Sequence, residues 1–208
     1  MPAEHLDICP PAQPMTADDP QELVIARFHR GIETKMAVGE TLAAGVALAA
    51  ERIANALLGE GQLLIAGLGL GRHLAAILHQ GVALGFDFDR PALPAILLDA
   101  AGAPETADNP LAAQIRALGR TQDCLALVVP DPAAPMLRGI LRAAHSRDLS
   151  CIVLSGAAAE DLAAALATPD IELSAAAGHQ GLALEVHLAV IFALCELIER
   201  HLFGGSAT

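Results

Sequence analysis

The segment Leu63-Leu64-Ile65-Ala66-Gly67-Leu68-Gly69-Leu70-Gly71-Arg72 has residue types and spacing that prescribe a geometry for chemistry. A short apolar run delivers three alternating glycines to the start of a helix. That arrangement brings backbone N–H groups and a helix N-terminus to bear on an anion. The side chains that usually complete such a cradle are missing: positions 68 and 70 are leucines, and no Ser, Thr, Asn or Lys follows to hold or polarise a phosphate. The pattern also fails as a dinucleotide fingerprint, because the third glycine would have to stand at Arg72. A tight turn for close strand–helix packing is the simpler expectation. Asp99 ends the next strand where a ribose-binding acid would stand, and it reads as a loop cap. Ser155-Gly156 follows the fourth strand and keeps a hydroxyl there, so Gly67, Gly69, Gly71 and Ser155 are the candidate anion contacts.

Other reactive residues do not group. His73 and His79 are six apart on one expected helix and face different ways, unlike an i, i+4 ligand pair. Glu185 and His187, two apart, diverge as well, and no metal site is expected. Cys9, Cys124, Cys151 and Cys195 lack metal-type spacing and mostly sit in apolar runs, which suits buried thiols in a reducing compartment. Cys124 and Cys151 fall inside expected central strands, too buried for nucleophilic attack. No catalytic triad is supported.

The elements that must position these groups follow from periodicity. Phe28, Ile32 and Met36 recur at i+4, and Leu42, Val46, Ile53 and Leu57 continue the pattern. With Gly39 and Thr41 read as a break, two helices are expected at 21–38 and 41–58. Continuous apolar runs then predict strands at 62–66, 94–98, 123–129, 150–154 and 170–173, alternating with helices at 71–84, 110–118, 134–147, 159–167 and 180–202. The fold class is α/β, a three-layer α/β/α sandwich on a five-stranded parallel sheet preceded by N-terminal helices. Ligands in such sheets sit beyond the carboxyl ends of the strands.

Composition bounds the rest. With 208 residues and 54 % hydrophobic content the chain can bury a sizeable core. Proline-rich residues 1–20 are expected to be a disordered tail and 21–208 a single domain. A formal charge of −12 with only 12 Lys and Arg disfavours direct binding to DNA. The apolar run 182–197 is interrupted by Glu185, His187 and Glu196, as in a core or interface helix rather than a membrane span. No secretory leader is recognisable, and a cytoplasmic location is expected.

The strand-loop-helix at 62–84, with Arg90-Pro91-Ala92-Leu93-Pro94-Ala95-Ile96, Gln114-Ile115-Arg116-Ala117-Leu118-Gly119 and Leu184-Glu185-Val186-His187, resembles the sugar isomerase (SIS) family. The likeness is to its phosphoheptose isomerase branch and, within that, to its DnaA initiator-associating, DiaA-like members. It runs from about Phe28 to Phe203 and implies a flavodoxin-like sheet. Isomerases of this branch carry a Gly-Asn-Gly-Gly-Ser loop, a metal-binding His and Glu one turn apart on the next helix, and a Gln and a His on the last helix. Matched onto this chain, the loop Asn and Ser fall at Leu68 and Gly71, the metal His and Glu at Ile77 and Gly81, and the Gln and His at Leu184 and Phe192. The family's second phosphate loop falls at 129–134, where Pro130, Asp131 and Pro132 replace hydroxyl donors.

These replacements lead to the expectation of a chain without isomerase activity, catalytic residues, metal or cofactor. The resemblance then implies a homotetramer that binds the replication initiator DnaA, with Leu202 and Phe203 on the partner-binding surface, and promotes initiation of chromosome replication. Two alternatives stand beside it. One is a sedoheptulose 7-phosphate isomerase; the other is a phosphosugar-binding regulatory protein using Gly67, Gly69, Gly71 and Ser155.

Overall fold

The computed structural model describes residues 19–87, 89–100 and 109–204. The tail expected to be disordered lies outside them as far as residue 18. Asp19 accepts a hydrogen bond from the Gln21 N–H at 2.9 Å, and Pro20 stands at the first helical position, so α1 begins there. It runs unbroken through Pro20–Leu58 to Gly59. The two helices expected at 21–38 and 41–58 are therefore one. Gly39 lies on open surface, where a Cβ would meet nothing within 4 Å, and an exposed helical glycine costs only ~1 kcal/mol relative to alanine. Thr41 Oγ1 donates to the Ala37 carbonyl at 3.3 Å, bonding back into the same helix instead of capping a new one.

Five parallel strands follow: β1 (Leu63–Gly67), β2 (Ala95–Leu97), β3 (Cys124–Val129), β4 (Ser150–Ser155) and β5 (Ile171–Ser174). They alternate with α2 (Gly71–Leu84), α3 (Pro110–Leu118), α4 (Leu137–His145), α5 (Glu160–Ala163) and α6 (Gln180–Phe203). The sheet order is β2-β1-β3-β4-β5, so the direction of winding reverses between β1 and β3. Alternate strand residues serve two cores. Leu63, Ile65, Ala126, Val128, Ile152 and Leu154 pack beneath α1, α2 and α6, whereas Leu64, Leu125, Leu127 and Val153 pack beneath α3 and α4. This is the expected three-layer sandwich. The helix expected at 159–167 shrinks to α5, in which only Leu162 is buried and gives the segment an apolar face. The helix expected from 134 starts at Leu137, because the Pro-rich stretch before it forms turns, with the Ala134 N–H bonded to the Asp131 carbonyl at 3.2 Å.

Both α1 and α6 are long and apolar enough to cross a membrane by length and composition. In this fold α6 buries Val190, Ile191, Leu194 and Ile198 against the sheet, as a core helix does. Two charge clusters hold the helical layer. Glu185 on α6 accepts from Lys35 at 2.8 Å and from Arg27, which ties the first half of α1 to the start of α6. These cations hold the Glu185 carboxyl below its usual range, the Lys35 hydrogen bond contributing most. Deeper, Arg90 Nε donates to Glu199 Oε1 at 2.7 Å, and its NH2 group donates to the Gly81 and Val82 carbonyls at 2.9 and 2.7 Å. Glu199 also accepts from the N–H groups of Phe86 (2.8 Å) and Asp87 (3.0 Å). The Arg90-Pro91 segment thus serves as a fully bonded tie between the α2–β2 connection and α6.

Candidate active site

The loops after β1, β3 and β4 meet at the carboxyl ends of the strands. Here the glycines serve close backbone packing. A Cβ on Gly71 would lie 2.2 Å from the Val128 carbonyl oxygen and 2.8 Å from Pro130 Cδ, and one on Gly156 would lie 2.0 Å from the Pro130 carbonyl oxygen. Gly69 takes φ +55°, the left-handed turn that favours glycine. The N–H groups of Leu68, Gly71, Arg72 and His73 are bonded to the carbonyls of Val128, Leu68, Gly69 and Leu70. Asp131 Oδ1 is bonded to the Ala133 N–H at 3.0 Å, so this carboxylate is engaged within its own loop. Pro130 therefore occupies the switch-point crevice between β1 and β3, and most N–H groups of the glycine turn are already paired.

Room for a ligand lies one strand over. A cavity of about 360 Å³ opens beyond β1 and β2, lined by Gly67, Arg72, His73, Ala76, Leu97, Leu98 and Asp99. Arg72 and His73 are on the first turn of α2, and Arg72 Nε donates to His73 Nε2 at 3.4 Å. Asp99 follows β2, its carbonyl accepting from Gln114 Nε2 at 2.6 Å. This cavity brings an imidazole, a guanidinium and a carboxylate around an apolar floor, a set able to bind an anion and move a proton. Sequence reasoning weighed His73 as a metal ligand and Asp99 as a ribose-binding acid or a loop cap, each separately. The spatial partnership between the α2 start and the β2 end is what it missed.

The candidate anion contacts do not converge equally on this space. Gly67 lines the cavity, and Gly69 and Gly71 form its turn. Ser155 is fully buried at the end of β4, where its hydroxyl donates to Glu172 Oε1 at 2.6 Å. At the opposite end of α6, Leu202 is half-buried against the core, while Phe203 is exposed with its ring 5.7 Å from the Arg90 guanidinium carbon.

The residues at the family's metal and acid–base positions are also placed. Ile77 and Phe192 are each 40 % exposed, and the Phe192 ring stacks on Phe86 with centroids 5.3 Å apart. Gly81 is covered by Cys195, whose Sγ would lie 2.6 Å from a Cβ at that position. Burial pushes the Cys195 thiol up to about 12. Neither an imidazole nor a carboxylate stands at these positions, so the residues present do not fit a divalent metal there.

His187 has a structural role. Its Nε2–H donates to the Ser155 carbonyl at 2.9 Å, and its Nδ1 is buried without a partner among the described residues, so the neutral ring is the form that fits. Burial lowers its pKa below the ordinary imidazole value, against the opposing effect of the Ser155 bond. A lowered folded-state value means this contribution to stability is complete above about pH 6.5 and is lost as the pH falls through the folded value. We expect urea midpoints to drop between pH 7.5 and 5.5, with a shallower drop in His187→Gln. Equal slopes would assign the loss to other groups.

No family model matches the chain. Individual relatives do. The chain is 31 % identical to the phosphoheptose isomerase of Alkalilimnicola ehrlichii over 195 residues, 90 % of this chain and 100 % of the relative. It is 32 % identical to that of Pseudoalteromonas atlantica over 189 residues, 88 % of this chain and 96 % of the relative. Among solved structures, the phosphoheptose isomerase from Francisella tularensis superposes with a TM-score of 0.81 at 25 % identity, covering 88 % of this chain and 99 % of the other. The one from Neisseria gonorrhoeae gives 0.76 at 26 %, covering 87 % and 99 %. These likenesses overturn the expectation of a chain without isomerase activity. The relatives are isomerases matched end to end, although Ile77, Gly81, Leu184 and Phe192 stand at the family's metal and acid–base positions.

Proposed function

The chain belongs to the phosphoheptose isomerase family, and from that premise we propose that it is an enzyme that interconverts the aldose and ketose forms of a phosphorylated sugar, sedoheptulose 7-phosphate being the first candidate. The observation that carries this reading is the cavity holding Arg72, His73 and Asp99 at the carboxyl edge of the sheet. Aldose–ketose exchange moves a proton between neighbouring carbons and another between their oxygens, so it needs a group that accepts and returns protons near neutral pH. His73 is exposed and lines the cavity, and an imidazole is the side chain most often used for such general acid–base work. Arg72 supplies the positive charge for the phosphate or the developing enediolate oxygen, and the start of α2 adds its dipole. Asp99, on the β2 side, is suited to orient a sugar hydroxyl. The testing experiment is turnover of sedoheptulose 7-phosphate by the purified full chain, compared with heat-denatured protein.

A second proposal concerns partners. Phe28, Ile32 and Met36 form an i, i+4, i+8 stripe on α1 and are 70 %, 51 % and 67 % exposed. Beside them an apolar groove of about 320 Å³ runs between α1 and α6, lined among others by Gly39, Leu42, Val46, Val190 and Leu197. A contiguous apolar face of this kind favours a homo-oligomer, a tetramer by resemblance, acting in the cytoplasm. The exposed Phe203 supports DnaA as a further partner, held through several identical sites. Light scattering should give a mass above that of one chain. Alanine at Leu202 and Phe203 should keep that mass and weaken DnaA binding about 10-fold or more. Unchanged affinity in a folded variant would remove DnaA from the account.

A further inference from the structure

At the amino-terminal edge of the sheet, opposite the candidate active site, three side chains of different donor type converge. His145 ends α4, Cys151 is the second residue of β4, and Asp170 immediately precedes β5. One ligand atom from each lies within 4.8 Å of the other two. We propose that His145 Nε2, Cys151 Sγ and an Asp170 carboxylate oxygen form a structural site for a single zinc-like divalent cation, with a water as fourth ligand.

The donor set is the first argument. One imidazole, one thiol and one carboxylate match the nitrogen, sulfur and oxygen ligands of tetrahedral zinc. Orientation is the second. Asp170 has only 1 % of its side chain exposed and is held by the N–H groups of Cys151 and Ala167, each at 2.9 Å, so the backbone aims the carboxylate before any ion arrives. Access is the third. The His145 side chain is 28 % exposed, which leaves an entry path and a place for water on its side, while Cys151 closes the inner side.

Without an ion, His145 Nε2 and Asp170 Oδ2 hydrogen-bond at 2.7 Å, and binding must exchange that bond for two metal bonds. Burial pushes the Cys151 thiol up, and Asp170 adds to this, so the sulfur is protonated in the free protein. Coordination forms the metal–sulfur bond and releases that proton to solvent, which makes affinity rise with pH. Arg52 donates to the Pro169 carbonyl at 2.7 Å, one residue before Asp170, and places positive charge on that side that works against an ion. An ion here ties the ends of α4, β4 and β5 together. It stands away from the Arg72–His73–Asp99 cavity and does not act in the isomerase reaction.

The test is titration of the chelator-treated full chain with Co²⁺, carried in a Cys9→Ser background so that the remaining thiols are Cys124, Cys151 and Cys195. The expected result is a thiolate-to-cobalt charge-transfer band saturating at one ion per chain. The band should be absent in Cys151→Ser and in Cys151→Ala, and His145→Asn should weaken binding 10-fold or more. Stoichiometric Zn²⁺ should raise the melting temperature of the parent and not of the Cys151 variants. Absence of the band, or its survival in a folded Cys151 variant, overturns the proposal and leaves His145 and Asp170 as a plain hydrogen-bonded pair.

Discussion

Glu199→Ala is expected to lower the unfolding free energy by about 3–5 kcal/mol, the usual cost of stripping one partner from a buried ion pair. The arginine left behind is Arg90, with 2 % of its side chain exposed, and the donors left behind include the N–H groups of Phe86 and Asp87. Burial by itself would raise the Glu199 carboxyl, but these donors and Arg90 outweigh it and hold the value below the ordinary range. The contribution is therefore present above the unfolded value of about 4.3 and is lost as acid takes the pH through the lower folded value. The double variant Arg90→Met with Glu199→Leu should recover only part of the stability, since it removes the stranded charge but still leaves the Phe86 and Asp87 N–H groups without their acceptor. Urea unfolding with an unchanged m-value checks both. A loss near 0.5 kcal/mol in the single variant, the size of a surface pair, would show that the network is open to solvent.

His73→Ala should reduce kcat by about 10²- to 10⁴-fold, the range for removing a positioned acid–base group. The melting temperature should move little, because the His73 side chain is exposed and, among the described residues, is bonded only to neighbouring Arg72. Arg72→Ala should act differently and raise KM, since a guanidinium that holds phosphate contributes to ground-state binding as well. If both variants turn over substrate like the parent, the reacting groups are not at this edge of the sheet.

The strands were legible because each is a continuous apolar run of parallel-sheet length, and β1 through β5 fall within a residue or two of where the runs predict them. Helix α1 was misread at Gly39, since a glycine breaks a helix only when packing does not hold it, and Val46, Ala50 and Ile53 dock the second half on the core. The glycine turn at 67–71 was also legible, but its meaning depended on Pro130, a contact made across the sheet between the loops after β1 and β3. Once Pro130 fills that crevice, the useful space shifts to the β1–β2 side, and no local pattern signals this. Arg90 and Glu199 are 109 residues apart, so the Arg-Pro segment could be seen as a family mark without its partner being visible. Ser155 kept the residue type expected of an anion contact, but the β4–β5 register sets it opposite Ser174, with Glu172 two residues back on β5 and close enough to take its hydroxyl.

The most direct measurement is the conversion of sedoheptulose 7-phosphate by the purified parent chain and by His73→Ala, followed as formation of the aldose phosphate. The account predicts steady turnover by the parent, well above heat-denatured protein, and a loss of about 100-fold or more in the variant. Turnover by neither protein, with the parent folded and the substrate stable, would contradict it.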